Sequence, residues 1–183
     1  MRHLLARRLA LRIPNGCGTG RRAFTIVEVT ITLLCLAIAA AIVMPTVTDN
    51  GPDQLRGAAQ MLVADLAYAQ AQSLSNGHDP RMLVVAADKT GYHLAARSNP
   101  ALPITNPVGQ TPYVTTFGAG RAASLGKVRF GPVGFNGDDQ LGFGGLGQLD
   151  QTMPATITLT AGVRSVVITI DAITGEATVG AIQ

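Results

Sequence analysis

Arg21-Arg22-Ala23-Phe24-Thr25-Ile26-Val27-Glu28 opens an apolar run from Phe24 to Met44 that carries one charge, Glu28, and stops at Pro45. A helix over that run would be about 31 Å long at 1.5 Å per residue, the hydrocarbon thickness of a bilayer. A carboxylate held deep in lipid is expensive, about 2.5–3.5 kcal/mol on insertion scales for a charge at the helix centre. An acid kept there is expected to have a partner. Cutting the chain just before Phe24 would supply one, a free amine four residues away.

Charge divides the chain at the same place. Of 14 basic residues, Arg2, Arg7, Arg8, Arg12, Arg21 and Arg22 precede Phe24, and no acid does. The net charge of +3 therefore becomes −3 beyond Ala23, where eight basic residues face eleven acidic ones. The sequence pI near 9.2 describes the N-terminal segment rather than the rest, so it argues for no nucleic-acid partner. Arginines on this flank orient the N-terminus toward the cytoplasm and the C-terminal domain outside. Cys17 lies before the run and Cys35 inside it. The roughly 135 residues after Thr48 are enough for a core without disulfides.

Two other readings of the N-terminus stay open. Gly20-Arg21-Arg22-Ala23-Phe24 also resembles a twin-arginine export signal, with small-residue cleavage sites at Ala37-Ile38-Ala39 or Ala39-Ala40-Ala41. That would release a soluble protein starting near Ala40. Against it, the apolar run exceeds the about 7–15 residues of a secretory core and contains Glu28. The third reading is a plain signal anchor with an incidental acid.

Past the run, Leu55, Ala59, Leu62, Leu66, Ala69 and Ser73 mark one stripe of a helix, widened by Ala58, Met61, Val63 and Ala67. Pro45 and Gly51-Pro52 should kink or interrupt the rod. Asn76-Gly77 reads as its stop, with glycine suited to a left-handed cap. The period then becomes that of strands. Met82–Ala86 and Tyr92–Ala95 flank the turn Asp88-Lys89-Thr90-Gly91. Residues 97–112, with Pro100, Pro103, Pro107 and Pro112, read as an irregular loop. A short strand is expected at Val128-Arg129-Phe130, and the seven glycines of 131–147 as a flexible surface loop. Thr156–Thr160, Ser165–Ile170 and Glu176–Val179 close the chain as strands. The fold class is α+β: a long N-terminal membrane-spanning helix whose second half packs on an antiparallel sheet domain, the sheets able to form a sandwich.

Catalytic groupings are scarce. His78 sits in a helix-to-strand turn, where a solvated ring is the default, and His93 lies in a strand. No Ser/His/Asp set and no metal-ligand spacing appears. Asn136-Gly137-Asp138-Asp139-Gln140 lacks the ligand ladder of a calcium loop and reads as a polar turn. No enzyme, cofactor or metal is expected. The basic cluster Arg121, Lys127 and Arg129 is small for a surface that must neutralise phosphates.

The basic pair, the small residue, Phe24-Thr25, Glu28 and Pro45 together resemble the type III signal of type IV pilins and type II secretion pseudopilins. One departure is Ala23, where that family nearly always has glycine. The later order, Val128-Arg129-Phe130-Gly131-Pro132-Val133-Gly134, a Gly-rich stretch, then Val166–Ile170 closing on Thr174-Gly175-Glu176, resembles the H-type minor pseudopilins and the FimT-like minor pilins. The resemblance implies removal of leader 1–23 by a prepilin peptidase between Ala23 and Phe24, and N-methylation of Phe24. It also implies a membrane helix over 24–45, a periplasmic stem over 46–76 and a β-rich domain over 77–183. Phe24 and Glu28 would serve subunit assembly, and Pro45 and Pro52 would be stem kinks. Implied partners are other major and minor pseudopilins, the peptidase, the inner-membrane secretion platform and membrane lipid. The implied role is a minor pseudopilin in protein export across the outer membrane. A FimT-like minor pilin of pilus assembly or DNA uptake is the alternative.

Overall fold

The structure, a computed structural model, describes residues 24–48 and 50–183, and of 42–48 the backbone alone. The basic leader and Ala23 lie outside the described residues. The chain divides after Thr46 into two compact units, taken here separately.

The first unit holds helix α1, Ile26–Thr48, but for its last two residues. Its assigned helix runs through Pro45 to Thr48. Side chains from Phe24 to Ala41 are exposed. Among the described residues no helix is long and apolar enough to cross a membrane. The portion of α1 with described side chains, Ile26 to Ala41, would reach only about 24 Å at 1.5 Å per residue.

The second unit begins with α2, Gly51–Ser75. Pro52 stands in its first turn, where a missing N–H leaves no bond unmade. The helix buries Leu55, Ala58, Ala59, Leu62, Leu66, Ala69 and Ser73, as the spacing predicts, together with Asp65. Each large apolar side chain so covered contributes about 1.5–3 kcal/mol. The helix stops at Asn76, whose N–H donates to Gln72 O at 2.9 Å. Gly77 is not the left-handed cap expected, because the positive-φ glycines are all elsewhere. The close approach here belongs to Gly145, where a Cβ would sit 3.1 Å from the Cα of Gly77, whereas a Cβ on Gly77 would meet Gly145 at an ordinary 3.7 Å.

Among the described residues, nine strands form two antiparallel sheets. The first contains β1 (Arg81–Val85), β2 (Gly91–Ala96), β3 (Asn99–Pro103), β4 (Val114–Thr116) and β6 (Gln140–Gly142), in the order β3-β2-β1-β6 with β4 also on β2. The second runs β5-β7-β8-β9, with β5 Val128–Gly134, β7 Ala155–Ala161, β8 Arg164–Ile170 and β9 Ala177–Val179. The β1–β2 hairpin forms at the expected turn, with Val85 opposite Tyr92. On β7, alternation of Ala155, Ile157, Leu159 and Ala161 with threonines gives one buried face. Gly162, at φ +63°, starts the tight turn into β8.

Each of the two expected loops contains a strand. Residues 97–112 contain β3, whose prolines are tolerated because it lies on the sheet edge. Residues 131–147 contain the end of β5 and all of β6, and bury Leu141 and Phe143 completely. The pairing of β5 with β7 shifts register between Phe130 and Val133, so Pro132 falls in an irregularity where its missing donor is harmless. The core lies between the sheets and α2. At its centre Tyr92 of β2 meets Phe130 of β5 edge-on at 5.9 Å, and Phe117 stacks on Phe130 at 5.6 Å.

Candidate functional site: a capped helix start and a buried carboxylate

The residues the sequence marks first stand at the start of α1. Thr25 caps this helix: its Oγ1 accepts from the N–H of Glu28 at 3.2 Å, and its carbonyl accepts from Val29 at 3.2 Å. Glu28 therefore occupies the third helical position of a Thr-x-x-Glu capping arrangement, where the helix dipole favours negative charge. Phe24, beside the cap, is 78% exposed. The Thr25-to-Glu28 spacing was the available signal for this cap, which the sequence reading passed over.

A second constellation was not foreseen. Asp65, on the buried face of α2, is 3% exposed. Its Oδ2 accepts from the hydroxyl of Tyr92 at 2.6 Å, and its Oδ1 from that of Tyr113 at 2.9 Å. Arg121, in the short 3₁₀ helix Gly120–Leu125, spans both oxygens, with Nη1 3.1 Å from Oδ1 and Nη2 bonded to Oδ2. The guanidinium also donates to Thr115 Oγ1 from Nε at 3.1 Å and lies 5.0 Å from the centre of the Tyr113 ring. Tyr68 stacks on Tyr113 at 5.4 Å. A bidentate, charge-assisted clamp of this kind ties α2 to β2, β4 and the 3₁₀ turn. Burial, and then the charge of Asp65, push the Tyr92 phenol well above its ordinary value. Tyr113 is raised by the same two effects in the same order.

The expected basic cluster is thereby divided. Arg121 is held by Asp65; Lys127 donates from Nζ to Asn50 Oδ1 at 3.1 Å; Arg129 donates to the carbonyls of Gly126 and Val128 at 2.9 and 2.6 Å. His93 holds Nε2 2.9 Å from the carbonyl of Pro100, and His78 is exposed in its turn. In the 136–140 turn, Asp138 Oδ1 accepts from Gln140 N at 3.1 Å, and Asp139 pairs with Lys89. Among the described residues no cluster of histidine, cysteine and carboxylates could hold a metal ion.

The late Thr-Gly turn is also built into α2. Gln70 Nε2 donates to Thr174 O at 2.6 Å and to Gly147 O at 2.8 Å. Gly175, at φ +69°, leaves no room for a side chain: a Cβ would fall 2.3 Å from Gly147 O. Asp171 organises the turn by accepting from the N–H groups of Thr174 and Ile173 at 2.8 and 2.9 Å. Those bonds, and that from the Thr174 hydroxyl, lower its pKa.

No family model matches the chain, and neither does any curated protein. Among solved structures it is similar to the type IV minor pilin FimU of Pseudomonas aeruginosa strain PAO1, with a TM-score of 0.49 and 16% identity. That likeness covers 69% of this chain and 93% of the other. At such identity no residue of one chain stands for a residue of the other.

Proposed function

We propose that this chain is a pilin-like minor subunit: cut between Ala23 and Phe24, held in the bacterial inner membrane by α1, and assembled through that helix with other subunits. Within this class the reading is a minor pseudopilin of type II secretion, its domain periplasmic. The observation that carries it is the composition of α1. Large apolar side chains from Ile26 to Ile38 stand exposed on one helix, with Ile26 at 82% and Leu36 at 65%, and Glu28 is the one charge among them. Apolar surface of that extent calls for lipid or partner helices. A lone carboxylate there calls for a cation, and the amine freed at Phe24 is the nearest one. The pair would set the register between neighbouring subunits rather than stabilise the monomer.

DNA capture is less well supported, because Arg121 is committed to Asp65 and Arg129 to main-chain carbonyls. In the test, Glu28→Leu should still be made and inserted, and its domain should melt as wild type does. Cross-linking to other pseudopilins should fall at least tenfold. Cross-linking at the wild-type level would remove the role given to Glu28 and favour the plain anchor.

A further inference from the structure

Asparagine is followed by glycine at 15–16, 50–51, 76–77 and 136–137. Such a pair is chemically labile, because glycine has no Cβ to shield its nitrogen from the asparagine side chain beside it. Asn99 and Asn106 instead precede proline, which has no N–H to give up. Asn15-Gly16 lies outside the described residues, and the fold treats the other three pairs differently.

Asn50 and Asn76 are held at the two ends of α2. The Asn50 carbonyl accepts from Gln54 N at 3.0 Å in the first turn, and its Oδ1 accepts from Lys127 Nζ at 3.1 Å. Gly51 beside it is buried. Asn76 donates from its main-chain N–H to Gln72 O at 2.9 Å and accepts from Asp79 N at 3.0 Å. Its Nδ2 donates to Gln72 O at 3.2 Å and to Gln72 Oε1 at 3.3 Å. Turning either side chain onto the next nitrogen breaks such bonds. Asn136 stands exposed in the turn between β5 and β6, and among the described residues no hydrogen bond holds its amide. Gly137, at φ +97°, has nothing within 4 Å of where a Cβ would lie. Its N–H donates to Phe135 O at 2.5 Å, closing a three-residue turn that can open without disturbing either sheet.

We propose that Asn136-Gly137 is a site of spontaneous deamidation in the folded domain, so that the β5–β6 turn gathers aspartate and isoaspartate with age while Asn50 and Asn76 persist. Gly137 N gives its proton to solvent hydroxide and bonds to Asn136 Cγ. The bond from Cγ to the side-chain nitrogen breaks, and ammonia leaves with a proton returned by water. Water then opens the cyclic imide at either carbonyl, leaving aspartate or isoaspartate at position 136. One water is consumed, one ammonia is released and the turn gains a negative charge. That charge joins Asp138 and Asp139, of which Asp139 already pairs with Lys89. Isoaspartate also adds a methylene to the main chain of the turn. None of this depends on whether the chain assembles into a filament.

The test incubates the folded full chain in mildly alkaline buffer and follows each pair by peptide mapping with mass spectrometry and by enzymatic methylation of isoaspartate. Each hydrogen bond that must break slows the step about fivefold, so position 136 should react at least about tenfold faster than 50 or 76. In urea, where the fold no longer holds them apart, the three pairs should react at similar rates. Asn136→Gln should remove the acidic form that accumulates on isoelectric focusing and leave the melting temperature unchanged. Faster reaction at Asn50 or Asn76 in the folded chain would overturn the proposal. So would a ranking that persists in urea, or an amide at position 136 that survives folded and is lost only in urea.

Discussion

Replacing Asp65 by alanine should be among the most damaging single changes in the domain. It would leave the hydroxyl of Tyr92, a residue 1% exposed, without its acceptor, and likewise that of Tyr113, 7% exposed. Each orphaned buried hydroxyl costs about 1–3 kcal/mol. Arg121 adds less, on the order of 1 kcal/mol, because its side chain is 38% exposed and can turn to water. The total is about 3–7 kcal/mol, out of a domain stability of roughly 5–15 kcal/mol. Asp65→Asn should lose about half as much, since one oxygen still accepts while the amide N–H groups face donors. Urea unfolding of the chain from Asn50 onward, followed by circular dichroism, gives the number directly, with the slope m unchanged. Asp53→Ala is the control, because its side chain is 81% exposed and pairs with Arg56 at 3.6 Å. If Asp65→Ala costs no more than that control, the clamp is not what joins α2 to the sheet.

The Tyr92 and Tyr113 phenols are raised in the folded state. Their contribution is therefore fully present below the unfolded value of about 10 and is lost as pH rises toward the folded one, by up to about 1.4 kcal/mol per pH unit for each group. Unfolding midpoints between pH 9 and about 11 should fall less steeply in Tyr92→Phe than in wild type, and parallel slopes would contradict this. Gly175→Ala should lose about 2–3 kcal/mol through the left-handed backbone and the contact with Gly147 O. Gln70→Ala should lose about 1–2 kcal/mol, and the double variant less than the two together, because both act on one turn. Strict additivity in thermal melts would show that the turn does not depend on Gln70.

How far the sequence led depended on whether burial follows periodicity. The stripe of α2 and the alternation in β7 were readable, because hydrophobic spacing reports which side of an element faces a core. Asp65 escaped notice although it lies three residues from Leu62 and four from Ala69 on the same face. A lone acid at such a place is a sign of a buried pair, but its partners Tyr92, Tyr113 and Arg121 are distant in sequence and no spacing links them. The glycines of 131–147 were misread as flexibility. Gly142 and Gly145 are instead places of close approach, to the Asp150 carboxylate and to the backbone of Gly77. Composition cannot distinguish a glycine needed for freedom from one needed for lack of bulk. Prolines misled in a similar way, since Pro100 and Pro103 sit in an edge strand whose outer N–H groups need no partner. The helix start was half legible: Glu28 was visible as a lone charge, while its position three residues after the capping Thr25 was overlooked.

The central claim is that this chain is processed and held as a pilin-like subunit, and the N-terminus of the protein recovered from bacterial membranes tests it most directly. Sequencing by Edman degradation, with intact mass on the same sample, should give a chain beginning Phe24-Thr25-Ile26-Val27-Glu28 and heavier by one methyl group. Substituting glycine for Ala23 should leave that product equal or faster to form, and a bulky residue there should block it. A chain that begins at Met1, or one that begins near Ala40 or Ile42, would contradict the account.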